Sequence, residues 1–175
     1  MRPPRRPAPA LVLAAAAFGP IAPPALAGPS TPATAAANGA PEACHLQLTE
    51  HRSGRPLARL PLDKQRPEVR VAFVHSVLGT PVIDRYRFTP RPRLVEETFD
   101  GQGYGLPHAP AEGERLERVG TAWRLTLDRA VDPLVVRPLP AQRMRLVLGD
   151  GREVLLSELS VHAIEISAVG CPARP

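Results

Sequence analysis

From Cys44 onward, apolar residues recur at every second position. Cys44, Leu46 and Leu48 alternate with His45, Gln47 and Thr49. Val69, Val71, Phe73, His75 and Val77 fall on one side of an extended chain, with Arg70, Ala72, Val74 and Ser76 on the other. A period of two is the signature of a strand with one packed face and one wet face. Val82 to Phe88 is rich in β-branched and aromatic residues. Gly79-Thr80-Pro81 separates it from the previous strand, so the two read as a hairpin. Leu94 to Phe99 reads as a strand entered through Pro90 and Pro92. Trp123, Leu125 and Leu127 share a face, which places Trp123 in the core. Met144, Leu146 and Leu148 alternate with Arg145 and Val147, and Asp150-Gly151 turns the chain into Glu153–Leu156. Val161 to Ser167 is the last expected strand. The expectation is an all-β fold: a single antiparallel β-sandwich or barrel-like domain of about eight short strands. One long irregular stretch, Asp100 to Gly113, interrupts it.

The residues before this domain read as an export leader. Arg2, Arg5 and Arg6 precede the apolar run Leu11 to Phe18, and Ala25-Leu26-Ala27 supplies a small-x-small cleavage pattern. The expectation is a signal peptide over 1–27, cleaved after Ala27, and a periplasmic or secreted product. The apolar run is far shorter than the ~20 residues that span a bilayer, so a retained anchor is the weaker reading. No later segment is long and apolar enough to span. Gly28 to Pro41 has no charge and no large apolar residue, so 28–41 is expected to be a disordered linker and 42–175 the folded domain. Cys44 and Cys171, the two cysteines of the chain, stand at the ends of that domain. In an oxidising compartment they most simply pair; the alternative is two unpaired thiols. A disulfide over that span is worth about 4–5 kcal/mol in the chain-entropy picture.

Charge argues against nucleic acid. The formal net charge is +5 with 22 basic and 17 acidic residues, but three of the arginines belong to the leader. Lys64 is the single lysine, and the excess of Arg, Ala, Pro and Gly fits a GC-rich coding bias. No basic run lies outside the leader, and aromatic residues are only 4% of the chain, too few for a stacking platform.

Three places could carry chemistry. His75-Ser76 is the densest. As neighbours in a strand their side chains would face opposite ways, so they cannot form a nucleophile–base pair with each other, and no Gly-x-Ser-x-Gly elbow exists. A structural histidine is the plainer reading. The five histidines lack metal-ligand spacing; a site joining His75 to Glu96, Glu97 or His108 has no positive support. The loop Asp100 to His108, with Gly101, Gly103 and Gly105 alternating and Tyr104 and His108 as its notable side chains, would let backbone amides approach an anion, or would simply serve as a tight connection. Glu96-Glu97 puts one carboxylate on each strand face, and the buried one would want an arginine, Arg85 or Arg87.

The run Val71-Ala72-Phe73-Val74-His75-Ser76-Val77 is followed by Thr80-Pro81-Val82, Tyr86-Arg87-Phe88, Leu94-Val95-Glu96-Glu97-Thr98-Phe99 and Gly103-Tyr104-Gly105-Leu106-Pro107. Over at least Val69 to Pro107, and including the Trp123 strand, the chain resembles the uncharacterised bacterial domain-of-unknown-function family 1850. Leu78 stands where the family often has an acidic residue, and Tyr104 where it has a small one. The resemblance implies a small exported or membrane-associated protein, of a kind often encoded beside TRAP-type tripartite solute transporters, with no catalytic residues to carry over. The resulting expectation is an exported, non-enzymatic accessory or ligand-binding module, without a cofactor, that contacts TRAP components or a small organic anion through His75, Ser76, Glu97, Gly103, Tyr104 and Gly105. The alternative is a small periplasmic hydrolase or metal-binding protein using His75 and Glu97.

Overall fold

A computed structural model describes residues 43–101, 103 and 105–171. The expected leader (1–27) and linker (28–41) lie outside the described residues. Among the described residues eleven strands form two antiparallel sheets. In chain order they are β1 His45–Glu50, β2 Pro56–Pro61, β3 Glu68–Val74, β4 Pro81–Phe88, β5 Pro92–Phe99, β6 Arg115–Val119, β7 Ala122–Ala130, β8 Leu134–Val136, β9 Arg145–Val147, β10 Glu153–Leu155 and β11 Ile164–Val169. One helical turn, α1 Leu156–Leu159, and a 3-10 turn, Pro140–Gln142, interrupt them. One sheet runs β10-β9-β3-β4-β5-β7-β6 and the other β2-β1-β11-β8.

The eight expected strands are present, and three more join them: β2, β6 and β8. All three are edge strands. β2 begins and ends on proline, which an edge tolerates because one side of the strand donates no ladder bond. β6 carries three charged residues in five, and β8 is three residues long. Several boundaries also differ. Leu156 leaves β10 for α1, and the last strand starts at Ile164 rather than Val161.

The sheets share one core. Leu46 and Leu48 of β1, Phe88 of β4, Phe99 of β5, Leu125 of β7 and Ile164 and Ile166 of β11 are all essentially inaccessible. Trp123 packs against this cluster from a half-buried position, as its spacing with Leu125 and Leu127 requires. Full burial of one such aliphatic side chain contributes about 1.5–3 kcal/mol.

The first and last strands lie side by side. β1 pairs antiparallel with β11, His45 opposite Val169 and Glu50 opposite Ile164. That register carries Cys44 and Cys171 past the ends of their strands to the same point. They form the expected disulfide, with Cα atoms 4.4 Å apart and a sequence separation of 127. The loop length sets the expected effect. Reduction, or the double change Cys44→Ala with Cys171→Ala, should lower unfolding free energy by about 4–5 kcal/mol in urea titrations with and without reductant. A change below ~1 kcal/mol would mean that the strand pairing alone closes the domain.

Candidate functional site

β3 stops at Val74, one residue before the histidine expected to lie within it. His75 donates its backbone N–H to Thr80 O at 2.8 Å, and Gly79 N–H donates back to His75 O at 2.9 Å. Gly79 has φ 68°, a left-handed conformation open to glycine and strained for other residues. A tight turn therefore replaces the last positions of the alternating pattern. His75 and Ser76 do not point to opposite faces of a strand; both sit in the turn, and Val77 is 62% exposed at its tip. The imidazole has a defined task there. Its Nδ1 accepts the backbone N–H groups of Val77 at 3.3 Å and Leu78 at 3.2 Å. That leaves the proton of the neutral ring on Nε2.

The turn meets the root of the glycine loop. Thr80 Oγ1 donates to Asp100 O at 3.0 Å, and a Cβ on Gly101 would stand 3.3 Å from Leu78 Cδ1. Leu106 is buried in the core and its N–H donates to Gly103 O at 3.1 Å, so the loop is tied down on its far side. Gly103 and Gly105 are exposed, with φ 84° and 91°. Tyr104 lies outside the described residues.

Glu97 is not part of this junction. It lies on β5 opposite Asp84 of β4, while Glu96 lies opposite Arg85. As expected, the two glutamates take opposite faces. Glu96 is on the outer face, where Arg85 bridges it and Glu68 at 3.0 Å each. Arg87, the other expected partner of the inward carboxylate, pairs instead with Glu68 at 2.8 Å. Glu97 alternates with the core residue Phe99, and Asp84 with the core residues Val82, Tyr86 and Phe88. The inner face therefore carries two facing acids rather than an acid and an arginine. The phenol of Tyr86 donates to Asp84 Oδ2 at 3.1 Å. Burial, followed by the Glu97 charge, pushes the Asp84 carboxyl up to about 7. Burial also pushes Glu97 up; Arg129 pulls it back and Glu114 pushes it further. Glu114 itself is held low by the Ala111 backbone N–H and by Arg129, whose guanidinium lies 2.7 Å away. The signal for Asp84 was the alternation Val82, Asp84, Tyr86, Phe88, which puts a carboxylate among core positions.

The other histidines are dispersed. His45 Nδ1 donates to Ala43 O at 2.8 Å and its Nε2 accepts from Arg59. His51 pairs with Glu165 at 2.9 Å, and His108 and His162 are exposed. Among the described residues no group of three or more His, Cys, Asp or Glu side chains could hold a metal ion. Surface clefts of about 240 to 480 Å³ open elsewhere among the described residues, and these are not lined by His75, Ser76, Glu97, Gly103 or Gly105.

Two outcomes check these assignments. Removing the turn-capping ring in His75→Ala should cost about 1–2 kcal/mol, and His75→Asn, whose amide oxygen can accept the same N–H groups, should recover much of it in thermal melts. Equal losses in both would sink the capping role. For Asp84, the folded state keeps a proton that the unfolded chain releases between its ordinary value of 3.8 and about 7. Its contribution to stability therefore falls as pH rises through that window and is level above it. Relative to wild type, Asp84→Asn should gain stability from pH 4 to 7, reaching on the order of 4 kcal/mol at pH 8 in urea titrations. A pH-independent difference would contradict the buried acid pair.

Comparison with curated proteins and with solved structures gave no match. Residues 69–155 match the family model described as Domain of unknown function (DUF1850). That segment runs from β3 through β10 and carries the turn, the acid pair and the glycine loop. The part of the chain that builds the seven-stranded sheet belongs to the DUF1850 domain family.

Proposed function

We propose that the protein is an exported, non-enzymatic accessory module that works beside a TRAP-type solute uptake system on the outer side of the cytoplasmic membrane. The observation that carries export is the disulfide. Cys44 and Cys171 are both consumed by it, and no free cysteine remains. Such a bond persists in oxidising compartments and is rare in the reducing cytosol. The leader pattern over 1–27 fits the same destination. Among the described residues no helix is long and apolar enough to cross a membrane.

The accessory role rests on the family resemblance and on what the conspicuous side chains already do. His75 holds a turn, and Glu97 faces another acid. A hydrolase or metal site built on His75 and Glu97 has less support, because the two belong to different places in the sheet. The turn is the better candidate for partner contact: Ser76 and Val77 are exposed at its tip, and its base touches the root of the glycine loop through Thr80 and Leu78. A photo-crosslinking residue at Val77, in cells that also produce a neighbouring transporter's binding protein and permease, should capture one of them. Maleimide labelling of the non-reduced protein should leave both cysteines unmodified. Labelled thiols would overturn export; an intact disulfide with no crosslink at position 77 would overturn the docking assignment.

A further inference from the structure

A separate feature lies at one end of the four-stranded sheet. Glu50 of β1, Ile164 of β11 and Val136 of β8 stand in one rank. Beyond that rank three connections leave the sheet together: the β1–β2 turn with Arg52 and Ser53, the residues Val161, His162 and Ala163 before β11, and Arg137 after β8. They enclose a cleft of about 440 Å³ that Glu50 also lines. That volume falls within the range of small-molecule sites.

The charges in this cleft do not cancel. Glu50 is its one carboxylate, and both of its oxygens are occupied. Oε2 accepts from Ser53 Oγ at 2.6 Å; Oε1 accepts from Arg55 at 3.0 Å and from Ser160 Oγ at 3.0 Å. The Ser53, Arg55 and Ser160 bonds, in that order, hold its carboxyl down to about 2, so it stays ionised. Arg55 offsets that charge. The Arg52 and Arg137 side chains have neither an ion pair nor a hydrogen bond among the described residues, whereas Arg55, Arg85, Arg87, Arg91, Arg93 and Arg129 all sit against carboxylates. Two uncompensated guanidinium groups thus line the same concavity, with the His162 ring as a further hydrogen-bonding group and Val161 and Ala163 as an apolar wall.

The walls are held in place by the same glutamate. Ser53 Oγ, bound to Glu50, also accepts the Arg55 N–H at 3.3 Å, and Gly54 N–H donates to Glu50 O at 2.8 Å, which fixes the turn carrying Arg52. Ser160 Oγ, bound to Glu50, accepts the His162 N–H at 3.0 Å. The turn that carries Arg52 and the backbone at His162 are therefore fixed before a ligand arrives, which reduces the ordering cost of binding.

We propose that this cleft is an anion-binding site for a small organic dianion, with one carboxylate or phosphate group directed to each guanidinium and a short apolar spacer against Val161 and Ala163. Guanidinium groups bind such planar or tetrahedral oxyanions through paired, charge-assisted hydrogen bonds. The site lies apart from the His75 turn, and it extends the accessory-module reading without depending on it.

Calorimetric titration of the full oxidised chain with glutarate, its dimethyl ester and inorganic phosphate tests the site. Saturable glutarate binding, absent for the ester, is expected. Arg52→Gln and Arg137→Gln should each weaken it at least tenfold with unchanged melting temperature. Arg70→Gln, an exposed arginine on β3 of the other sheet, should leave it intact. Binding of phosphate but not glutarate would overturn the organic dianion. Absence of saturable binding, or equal weakening by Arg70→Gln, would overturn the site. Each of these outcomes is independent of thiol state and of crosslinking at Val77.

Discussion

The pairing of β1 with β11 is the constraint on which the rest of this molecule depends. Most other strand pairs join close neighbours in sequence: β1 with β2, β3 with β4, β4 with β5, β6 with β7, β9 with β10. The β1–β11 ladder brings together residues more than a hundred positions apart, such as Leu46 and Ala168. Its closure entropy must be offset by burial, and the fully buried Leu46, Leu48, Ile164 and Ile166 provide it. The disulfide just past the strand ends removes much of that entropy from the unfolded chain. The same ladder ends in the rank Glu50–Ile164–Val136, so the strand pairing that closes the domain also assembles the arginine-lined cleft.

The two faces of the seven-stranded sheet handle charge differently. On the outer face Arg85 bridges Glu68 and Glu96, and Arg87 adds to Glu68. Exposed ion pairs of this kind contribute little individually, but they hold like charges apart along neighbouring strands. On the inner face Asp84 and Glu97 stand opposite each other among core positions, with the Arg129 charge acting on Glu97 alone of the two. A carboxyl pair in that setting opposes folding unless one member keeps its proton. This is a place where local chemistry conflicts with the fold, and such conflicts concentrate where a protein does something other than fold.

Strands with a packed face were legible because alternation is imposed by the core. The three that were not, β2, β6 and β8, are sheet edges. An edge strand packs little of its side-chain surface and is defined by hydrogen bonds to one neighbour, so its sequence need not alternate. The His75 boundary was hidden for a related reason. His75 and Val77 continue the apolar-side pattern of β3, but Gly79 at positive φ and the bond from His75 N–H to Thr80 O turn the chain earlier than the pattern ends. The separation of Glu96 from Glu97 followed from strand geometry alone. Their partners did not, because a register shift between Arg85 and Tyr86 sets what lies across from each.

What the chain's own residues determined was local: the period-two faces, the turns at Gly79 and Asp150-Gly151, and two cysteines at the ends of the patterned region. Each of these depends on neighbours a few positions away or on composition. What tertiary structure decided was which distant residues share a place. Asp84 met Glu97 through the β4–β5 register, and Arg52, Arg137 and His162 met at a sheet end through the register of β1, β11 and β8. The physical reason is that pairing between strands far apart in sequence is chosen by burial across the whole core, a quantity that no short stretch of residues contains.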